Sequence, residues 1–198
     1  RAESIRSGFL LAQGGEFGEP WTDRRGAANS WSGMAIDDQR GMAFVTIGDP
    51  HPNMVGINRP GDNLFSNCIL ALDVLTGEYR WHFQGVRHDL WDLDVTGPPN
   101  LVTITRDGRK IDAVTAVSKG GLLLLVDRES GKPIFPFRLR RAPVSVLPGE
   151  RTAPYQPDPE LPEQISRMAF DPAEITDRTP EARAAVERLA GEHGLWDE

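Results

Sequence analysis

The sequence has one cysteine, no long apolar run and no excess of positive charge. Cys68 alone cannot form an internal disulfide framework or a cysteine-rich metal site. No apolar stretch reaches the roughly 20 residues that a membrane-crossing helix needs. The 22 basic and 29 acidic residues give a formal charge of −7, and no basic patch stands out. These absences argue against a disulfide scaffold, a transmembrane helix within this sequence, and nucleic acid as a partner.

The sequence also lacks an initiating methionine, and residues 1–12 do not show the basic and then apolar pattern of a signal peptide. We therefore expect a mature product or an excised piece of a longer chain. Glycine and proline, by contrast, are abundant, with 20 and 16 residues. This composition suits a turn-rich β protein better than a helical one.

Strand-like segments separated by turns predict a series of β-hairpins. The first two hairpins pair residues 34–37 with 42–47 and residues 68–73 with 79–84. Two more pair residues 101–105 with 110–117 and residues 122–126 with 132–137. The segment 48–63, rich in proline, glycine and asparagine, is predicted to be a long loop that is either functional or disordered.

The hairpins share a turn motif. Ala71-x-Asp73-x-x-Thr76-Gly77-x-x-x-Trp81 recurs as Leu125-x-Asp127-x-x-Ser130-Gly131-x-x-x-Phe135 and, more weakly, from Ala35 to Val45. Offsets of 36 and 54 residues indicate stacked or radially arranged units. In each unit an aspartate begins a turn, a glycine supplies a positive φ, and a bulky apolar residue packs against the neighbouring unit. Trp81 is predicted to have this docking role.

The predicted organisation has two parts within one domain. Residues 1–142 carry the hairpins, and residues 143–198 are a proline-rich, extended surface segment followed by a short helix. The helix is predicted over residues 179–190, because Thr179 can cap it, Pro180 suits its first position and Gly191 can end it. Its apolar stripe is narrow, which indicates a surface insertion without chemistry.

The densest group of reactive side chains follows the strand 79–84. Within seven residues the chain reads His88-Asp89-Leu90-Trp91-Asp92-Leu93-Asp94, which we call the acidic segment. Loops held by a rigid sheet often carry active sites. A solvated acidic turn is the alternative. Two indoles in and just before this segment, Trp81 and Trp91, favour a site that combines a flat apolar surface with fixed negative charge.

The turn repeat and the motif His88-Asp89-Leu90-Trp91-Asp92 together resemble the PQQ-dependent dehydrogenases, and more closely their glucose-dehydrogenase-like branch. The resemblance runs from about Gly26 to Tyr155. It implies an all-β fold made of blades of an eight-bladed quinoprotein β-propeller, with a short C-terminal helical insertion. A closed propeller needs about 4–8 blades, whereas these hairpins supply about three. We therefore expect the middle of a larger enzyme, completed by further blades or by another copy.

The resemblance also implies roles for individual residues. Asp92 is expected to be the general base that accepts the proton of a substrate hydroxyl as hydride leaves for the quinone. Asp49 is expected to ligate Ca²⁺ or Mg²⁺ beside PQQ, where the cation polarises the quinone carbonyl. Lys119 is expected to contact the quinone side of the cofactor, and Trp31, with Asn29, its flat face.

Each role has an alternative. Asp94 or Asp89 could be the base, with Asp92 only a turn cap. Asp49 could be a turn residue before Pro50. Lys119 could be solvated at a hairpin and Trp31 could be a core residue.

The resulting prediction is PQQ-dependent oxidation of a sugar or alcohol hydroxyl, with electrons passing to a quinone or cytochrome acceptor. The resemblance implies a periplasmic location, with any membrane association made through segments outside this sequence. The alternative function is a non-enzymatic quinoprotein-like propeller that serves as a scaffold for protein–protein interaction. Such a scaffold has no need of Trp31, Trp91-Asp92 and Lys119 at these spacings, so the enzyme is favoured.

Overall fold

The structure is a computed structural model that describes residues 28–166 and 171–194. These residues contain nine β-strands, one 3₁₀ helix and one α-helix. The chain divides into two compact units, with the boundary directly after Ser166. The predicted division at residue 142 within one domain stays a prediction.

The first four strands form one antiparallel sheet in sequence order. They are β1 (Met34–Asp37), β2 (Met42–Ile47), β3 (Cys68–Asp73) and β4 (Tyr79–Gln84), which confirms the first two predicted hairpins. Cys68 on β3 pairs with Ile47 on β2 and with Gln84 on β4. The loops that follow β2 and β4 therefore begin at the same end of the sheet, where these two strands finish.

A second antiparallel sheet contains three strands, β5 (Asn100–Arg106), β6 (Arg109–Val117) and β7 (Leu123–Asp127). The strand predicted over residues 132–137 is wrong. Residues 132–136 make only an isolated bridge, Pro133 to Val126, and two backbone hydrogen bonds to β7. A longer ladder does not form, because Pro133 and Pro136 have no N–H to donate. The chain instead forms β8 (Phe137–Arg141), which pairs with β9 (Tyr155–Pro159). Part of the segment predicted to be extended surface chain is thus a strand.

The repeated turns have the predicted geometry. In each, the aspartate Oδ1 accepts hydrogen bonds from the backbone N–H groups two and three residues later, at 2.8–3.2 Å; the three residues are Asp37, Asp73 and Asp127. The glycine that follows has φ between 62° and 69°, at Gly41, Gly77 and Gly131. Because these bonds are local, the motif alone was sufficient to predict them.

Trp81 docks the first sheet on the second, as predicted. Its indole N–H donates to the carbonyl of Arg128 at 3.2 Å, and a Cβ added at Gly131 would lie only 2.5 Å from the ring. The core beneath it contains Phe44 and Ile69 from the first sheet together with residues of the second sheet, Val114, Leu124 and Val126. Phe135, at the equivalent repeat position, instead contacts Arg106 of β5, with 4.8 Å between its ring centroid and the guanidinium carbon.

Ion pairs also join the two sheets. Arg128 donates to Asp37 at 3.0 Å, and Arg40 bridges Asp37 and Asp112 at 2.9 and 2.5 Å. Burial acts to raise the pKa of Asp37, but the hydrogen bonds from Arg128 and Arg40 outweigh it and hold the pKa below its ordinary value. The relative position of the two sheets is therefore fixed by charge as well as by packing.

The unit after Ser166 contains the 3₁₀ helix Pro172–Glu174 and α1 (Pro180–Glu192). Thr179 caps α1 by accepting the N–H of Ala182 at 3.1 Å, which confirms the predicted start. The helix extends two residues beyond the predicted end, Ala190. Among the described residues, no helix has the length and apolar character needed to cross a membrane.

Candidate active site

The acidic and basic residues of the candidate site lie directly after the ends of three strands. Asp49 follows β2, the acidic segment follows β4, and Lys119 follows β6. The backbone N–H of Lys119 donates to the carbonyl of Asp94 at 2.8 Å, and Gly97 N–H donates to Val117 at 3.0 Å. These bonds hold the chain after the acidic segment against the end of β6, so residues 70 positions apart in the sequence meet at one place.

Asp94 lies at the centre of the site and is buried. Its Oδ1 accepts the backbone N–H of Asp49 at 2.8 Å and the indole N–H of Trp31 at 3.4 Å, while Oδ2 lies 2.5 Å from Lys119 Nζ. A Cβ at Gly48 would lie 2.3 Å from Oδ1, so only glycine permits this approach. Burial acts to raise the pKa of Asp94, but Lys119 and the Asp49 N–H outweigh it and lower the pKa.

Asp92 is held by two donors and is more open than Asp94. Its Oδ1 lies 2.8 Å from Lys119 Nζ and accepts a hydrogen bond from Asn53 Nδ2 at 3.0 Å. Its side chain is 29% exposed, against 4% for Asp94. Asp92 also has a φ of 60°, a left-handed conformation that is uncommon for a non-glycine residue, although aspartate adopts it more readily than most.

Asp49 is buried, and its Oδ2 has no hydrogen-bond partner among the described residues. Burial, followed by the negative charge of Asp94, raises the pKa of Asp49 to about 7. One carboxylate oxygen from each of Asp49, Asp92 and Asp94 lies within 4.8 Å of the others. Three hard oxygen donors, one of them buried and unpartnered, fit a divalent cation such as Ca²⁺ or Mg²⁺.

Lys119 is ion-paired within this cluster, at the distances given above, and its side chain is 39% exposed. Burial acts to lower the pKa of Lys119, but its hydrogen bonds to Asp92 and Asp94 outweigh it and raise the pKa above its ordinary value. The ammonium group is therefore a fixed positive charge beside two carboxylates.

Trp31 is 55% exposed and is not a core residue. Its indole N–H points to Asp94, so an exposed aromatic ring lies next to the three carboxylates. Asn29 is also exposed, and its carbonyl accepts the N–H of Gly48 at 3.0 Å. The structure thus brings all five predicted site residues to the same edge of the first sheet.

The sequence interpretation missed the supports of the acidic segment. Asp89, fully buried, accepts the backbone N–H groups of Trp91 and Leu93 at 2.8 and 2.7 Å and the side-chain amide of Asn67 at 2.8 Å. Burial raises the pKa of Asp89, although these hydrogen bonds act in the opposite direction. Arg59 and Asn53, in the loop after β2, were also missed, and only the unusual length of that loop pointed to them.

Two antiparallel sheets built on a repeated aspartate–glycine turn, docked through Trp81 and carrying carboxylates at one end, define blades of a β-propeller with a candidate metal site. A model of the family described as "PQQ: Glucose/ethanol/alcohol dehydrogenase, beta-propeller domain" matches residues 11–194. The chain belongs to this family. The predicted relationship and the predicted fold class, propeller blades with one C-terminal helix, are confirmed.

Curated relatives and solved structures agree with the family. The chain is 34% identical over 134 residues to the quinoprotein glucose dehydrogenase of Escherichia coli (strain K12). The aligned region covers 67% of this chain and 17% of the relative. The chain is 38% identical over 136 residues to the glycerol dehydrogenase large subunit of Gluconobacter oxydans (strain 621H), covering 67% and 18%. The quinohemoprotein alcohol dehydrogenase from Comamonas testosteroni matches with a TM-score of 0.53 and 29% identity, covering 67% and 20%. The matched region therefore spans a fifth or less of each relative.

Proposed function

We propose that this chain forms part of the active site of a PQQ-dependent dehydrogenase that oxidises a hydroxyl group of a sugar or an alcohol. The observation that carries the proposal is the meeting of Asp49, Asp92 and Asp94, with ligand oxygens within 4.8 Å of one another, beside the ammonium group of Lys119. A non-enzymatic scaffold would use the same blades. It would gain nothing from a buried carboxylate oxygen that no group in residues 28–166 and 171–194 satisfies.

Asp92 is the general base in this proposal. The alternatives are disfavoured because both oxygens of Asp94 already accept hydrogen bonds in a buried position, and Asp89 binds the backbone of its own loop. Asp92 is the most exposed of the three, and Lys119 and Asn53 fix one of its oxygens. A carboxylate oriented in this way can accept the proton of a substrate hydroxyl.

Asp49, whose Oδ2 has no hydrogen-bond partner among the described residues, would ligate the divalent cation, with the negative charges of Asp92 and Asp94 beside it. Lys119 would contact the quinone side of PQQ, and the exposed ring of Trp31, with Asn29, would lie against its flat face. When bound, PQQ supplies the hydride acceptor and the cation supplies Lewis-acid polarisation. The protein's own contribution is to orient the base, to fix the positive charge of Lys119, and to offer an anionic oxygen cage to the cation.

The proposal extends to the surroundings of the site. Electrons would leave through a quinone or cytochrome acceptor, and the protein would act in the periplasm. The remaining propeller blades, or another copy of the chain, would complete the cofactor's environment, because these sheets supply only part of a closed propeller.

The test uses the full-length protein from which this chain derives, freed of cofactor and metal. We expect reduction of an artificial electron acceptor with glucose, glycerol or ethanol only when both PQQ and Ca²⁺ or Mg²⁺ are added. Omission of either component is the internal control. Activity that is independent of PQQ, or none with any of these substrates, would contradict the proposal.

A further inference from the structure

Arg59 is a buried arginine in the loop between β2 and β3, with 1% of its surface exposed. Its guanidinium donates to the carbonyl of Pro52 at 3.2 Å, to the carbonyl of Asn53 at 3.1 Å and to Asn63 Oδ1 at 2.5 Å. It also donates to the carbonyl of Asp89. Among the described residues, no carboxylate lies within ion-pair distance of it. Burial lowers the pKa of Arg59, while the charges of Asp89, Asp49 and Glu150 act to raise it.

The acceptors of Arg59 lie in two different segments. Pro52, Asn53 and Asn63 belong to the loop after β2, whereas Asp89 belongs to the acidic segment after β4. A buried guanidinium is costly to desolvate. The planar guanidinium group does not pair with one carboxylate here but donates to acceptors in both loops. The position of each loop therefore depends on the position of the other.

Both segments support Asp92 directly. Asn53, held through its carbonyl by Arg59, donates its side-chain amide to Asp92 Oδ1 at 3.0 Å. Asp89, also held through its carbonyl, binds the N–H groups of Trp91 and Leu93, the residues on either side of Asp92. Arg59 therefore contacts the supports of the Asp92 side chain and of its backbone, but not Asp92 itself.

The conformation of Asp92 needs such support. A left-handed φ of 60° is sparsely populated by non-glycine residues and persists where neighbouring contacts over-determine it. The hydrogen bonds on both sides of Asp92, together with Asn53 above its carboxylate, provide these contacts. Both residues that supply these contacts, Asn53 and Asp89, are held through their backbone carbonyls by the guanidinium of Arg59.

We propose that Arg59 is a positioning residue that aligns the Asp92 carboxylate for proton acceptance by holding Asn53 and Asp89 in register. This inference rests on the proposed role of Asp92 as the general base. Replacing the fork by a single ammonium keeps the charge but cannot reach acceptors in both loops. The alignment of Asp92 should then fail, while the residues proposed to contact cofactor and substrate remain in place.

The first test is Arg59→Lys in the full-length, PQQ-loaded enzyme. We expect kcat to fall by about 10–100-fold, the usual effect of removing a supporting partner. KM should change little, because Arg59 is buried and has no proposed contact with substrate. The matched control is Arg80→Lys, an exposed arginine of β4 that pairs with Asp73, which should keep the parent kcat. An Arg59→Lys enzyme with the parent kcat, or with a changed KM alone, would overturn the inference.

A second readout needs no activity. Hydrogen exchange followed by mass spectrometry on the cofactor-free protein should show faster exchange in residues 50–56 and 88–94 of Arg59→Lys, with β2 unchanged. Faster exchange throughout the protein would mean a general structural role and would overturn the inference. If Arg59→Lys does not fold, Asn53→Ala removes one arm of the link and should lower kcat in the same way. The parent kcat in that variant would be equally contradictory.

Failure of this inference can be told apart from failure of the proposed function. If Asp92→Asn is inactive and Arg59→Lys is fully active, the proposed role of Arg59 is wrong, while the proposed role of Asp92 still holds. Normal turnover by Asp92→Asn would instead remove the base role, and the positioning role of Arg59 with it, whatever the exchange data show.

Discussion

Lys119 and Asp92 form an ion pair, with 2.8 Å between Nζ and Oδ1, although 27 positions and two strands separate them. The same ammonium group lies 2.5 Å from Asp94 Oδ2. One cation thus holds two carboxylates that differ in accessibility. Asp94 is buried and satisfied on both oxygens, whereas Asp92 is partly open. This arrangement gives the acidic segment a buried carboxylate and a more accessible one, and the accessible one is the proposed base.

Asp49→Ala should weaken cation binding far more than folding. Loss of a supporting partner already costs about 10–100-fold in metal affinity, so removing a proposed ligand should raise the Ca²⁺ or Mg²⁺ concentration needed for PQQ reconstitution at least as much. The melting temperature of the metal-free protein should change little by comparison, because Asp49 Oδ2 has no hydrogen-bond partner to lose among the described residues. The matched control is Asp62→Ala, in the same loop, with a side chain 50% exposed. Reconstitution of Asp49→Ala at the parent's cation concentration would leave Asp49 as a turn residue only.

The stability of the metal-free protein should carry a pH signature of Asp49. Burial raises the folded pKa of Asp49 to about 7, above its ordinary value of 3.8, so between these values the folded state binds more protons than the unfolded state. The contribution of Asp49 to the free energy of unfolding therefore falls as the pH rises from about 4 to about 7. Asp49→Asn lacks this dependence.

The measurement is the melting temperature of parent and Asp49→Asn in EDTA, across this pH range. The melting temperature of Asp49→Asn should rise relative to that of the parent as the pH increases from about 4 to about 7. Above about pH 7 the difference between the two should stay constant. Asp62→Asn serves as the control, and its melting temperature should differ from that of the parent by the same amount at every pH. A constant difference for Asp49→Asn as well would show that Asp49 titrates as an ordinary carboxyl group.

Substitutions of the buried Trp81 and the exposed Trp31 should separate an effect on stability from an effect on PQQ binding. Trp81 is 7% exposed and fills the contact between the sheets, so Trp81→Ala should lower the free energy of unfolding by about 3–5 kcal/mol. Trp31 is 55% exposed, so Trp31→Ala should change unfolding little but weaken PQQ binding. Denaturant unfolding and PQQ titration of both variants check this. Equal destabilisation by both changes would contradict the assignment of Trp81 as the docking residue.

Sequence reasoning succeeded where the determining interactions are local. The turns led by Asp73 and Asp127 bind their own backbone within three residues, so the motif alone predicts them. The strand over residues 132–137 was over-predicted because its apolar residues were weighted above Pro133 and Pro136. Strand β9 was missed for the converse reason, since its prolines concealed pairing with β8 that only the fold provides.

The sequence could predict which residues belong to the candidate site, but not the hydrogen bonds and ion pairs that join them. The acidic segment and the family resemblance singled out Asp92, Asp49 and Lys119. That Asp94 binds Lys119, Trp31 and the Asp49 backbone depends on three strand ends meeting at one place. The roles of Arg59 and Asn53 depend on the path of a long loop, and no local pattern encodes that path.

The most direct test of the account is turnover by Asp92→Asn in the full-length, PQQ-loaded protein, compared with Asp62→Asn. The asparagine keeps the shape of the side chain and can still accept a hydrogen bond from Lys119, but it cannot accept the substrate proton. If Asp92 is the base, kcat should fall by about 10²–10⁴-fold, with PQQ and cation still bound, while Asp62→Asn should retain the parent kcat. Turnover close to the parent's in Asp92→Asn would contradict the account and move the base to another group.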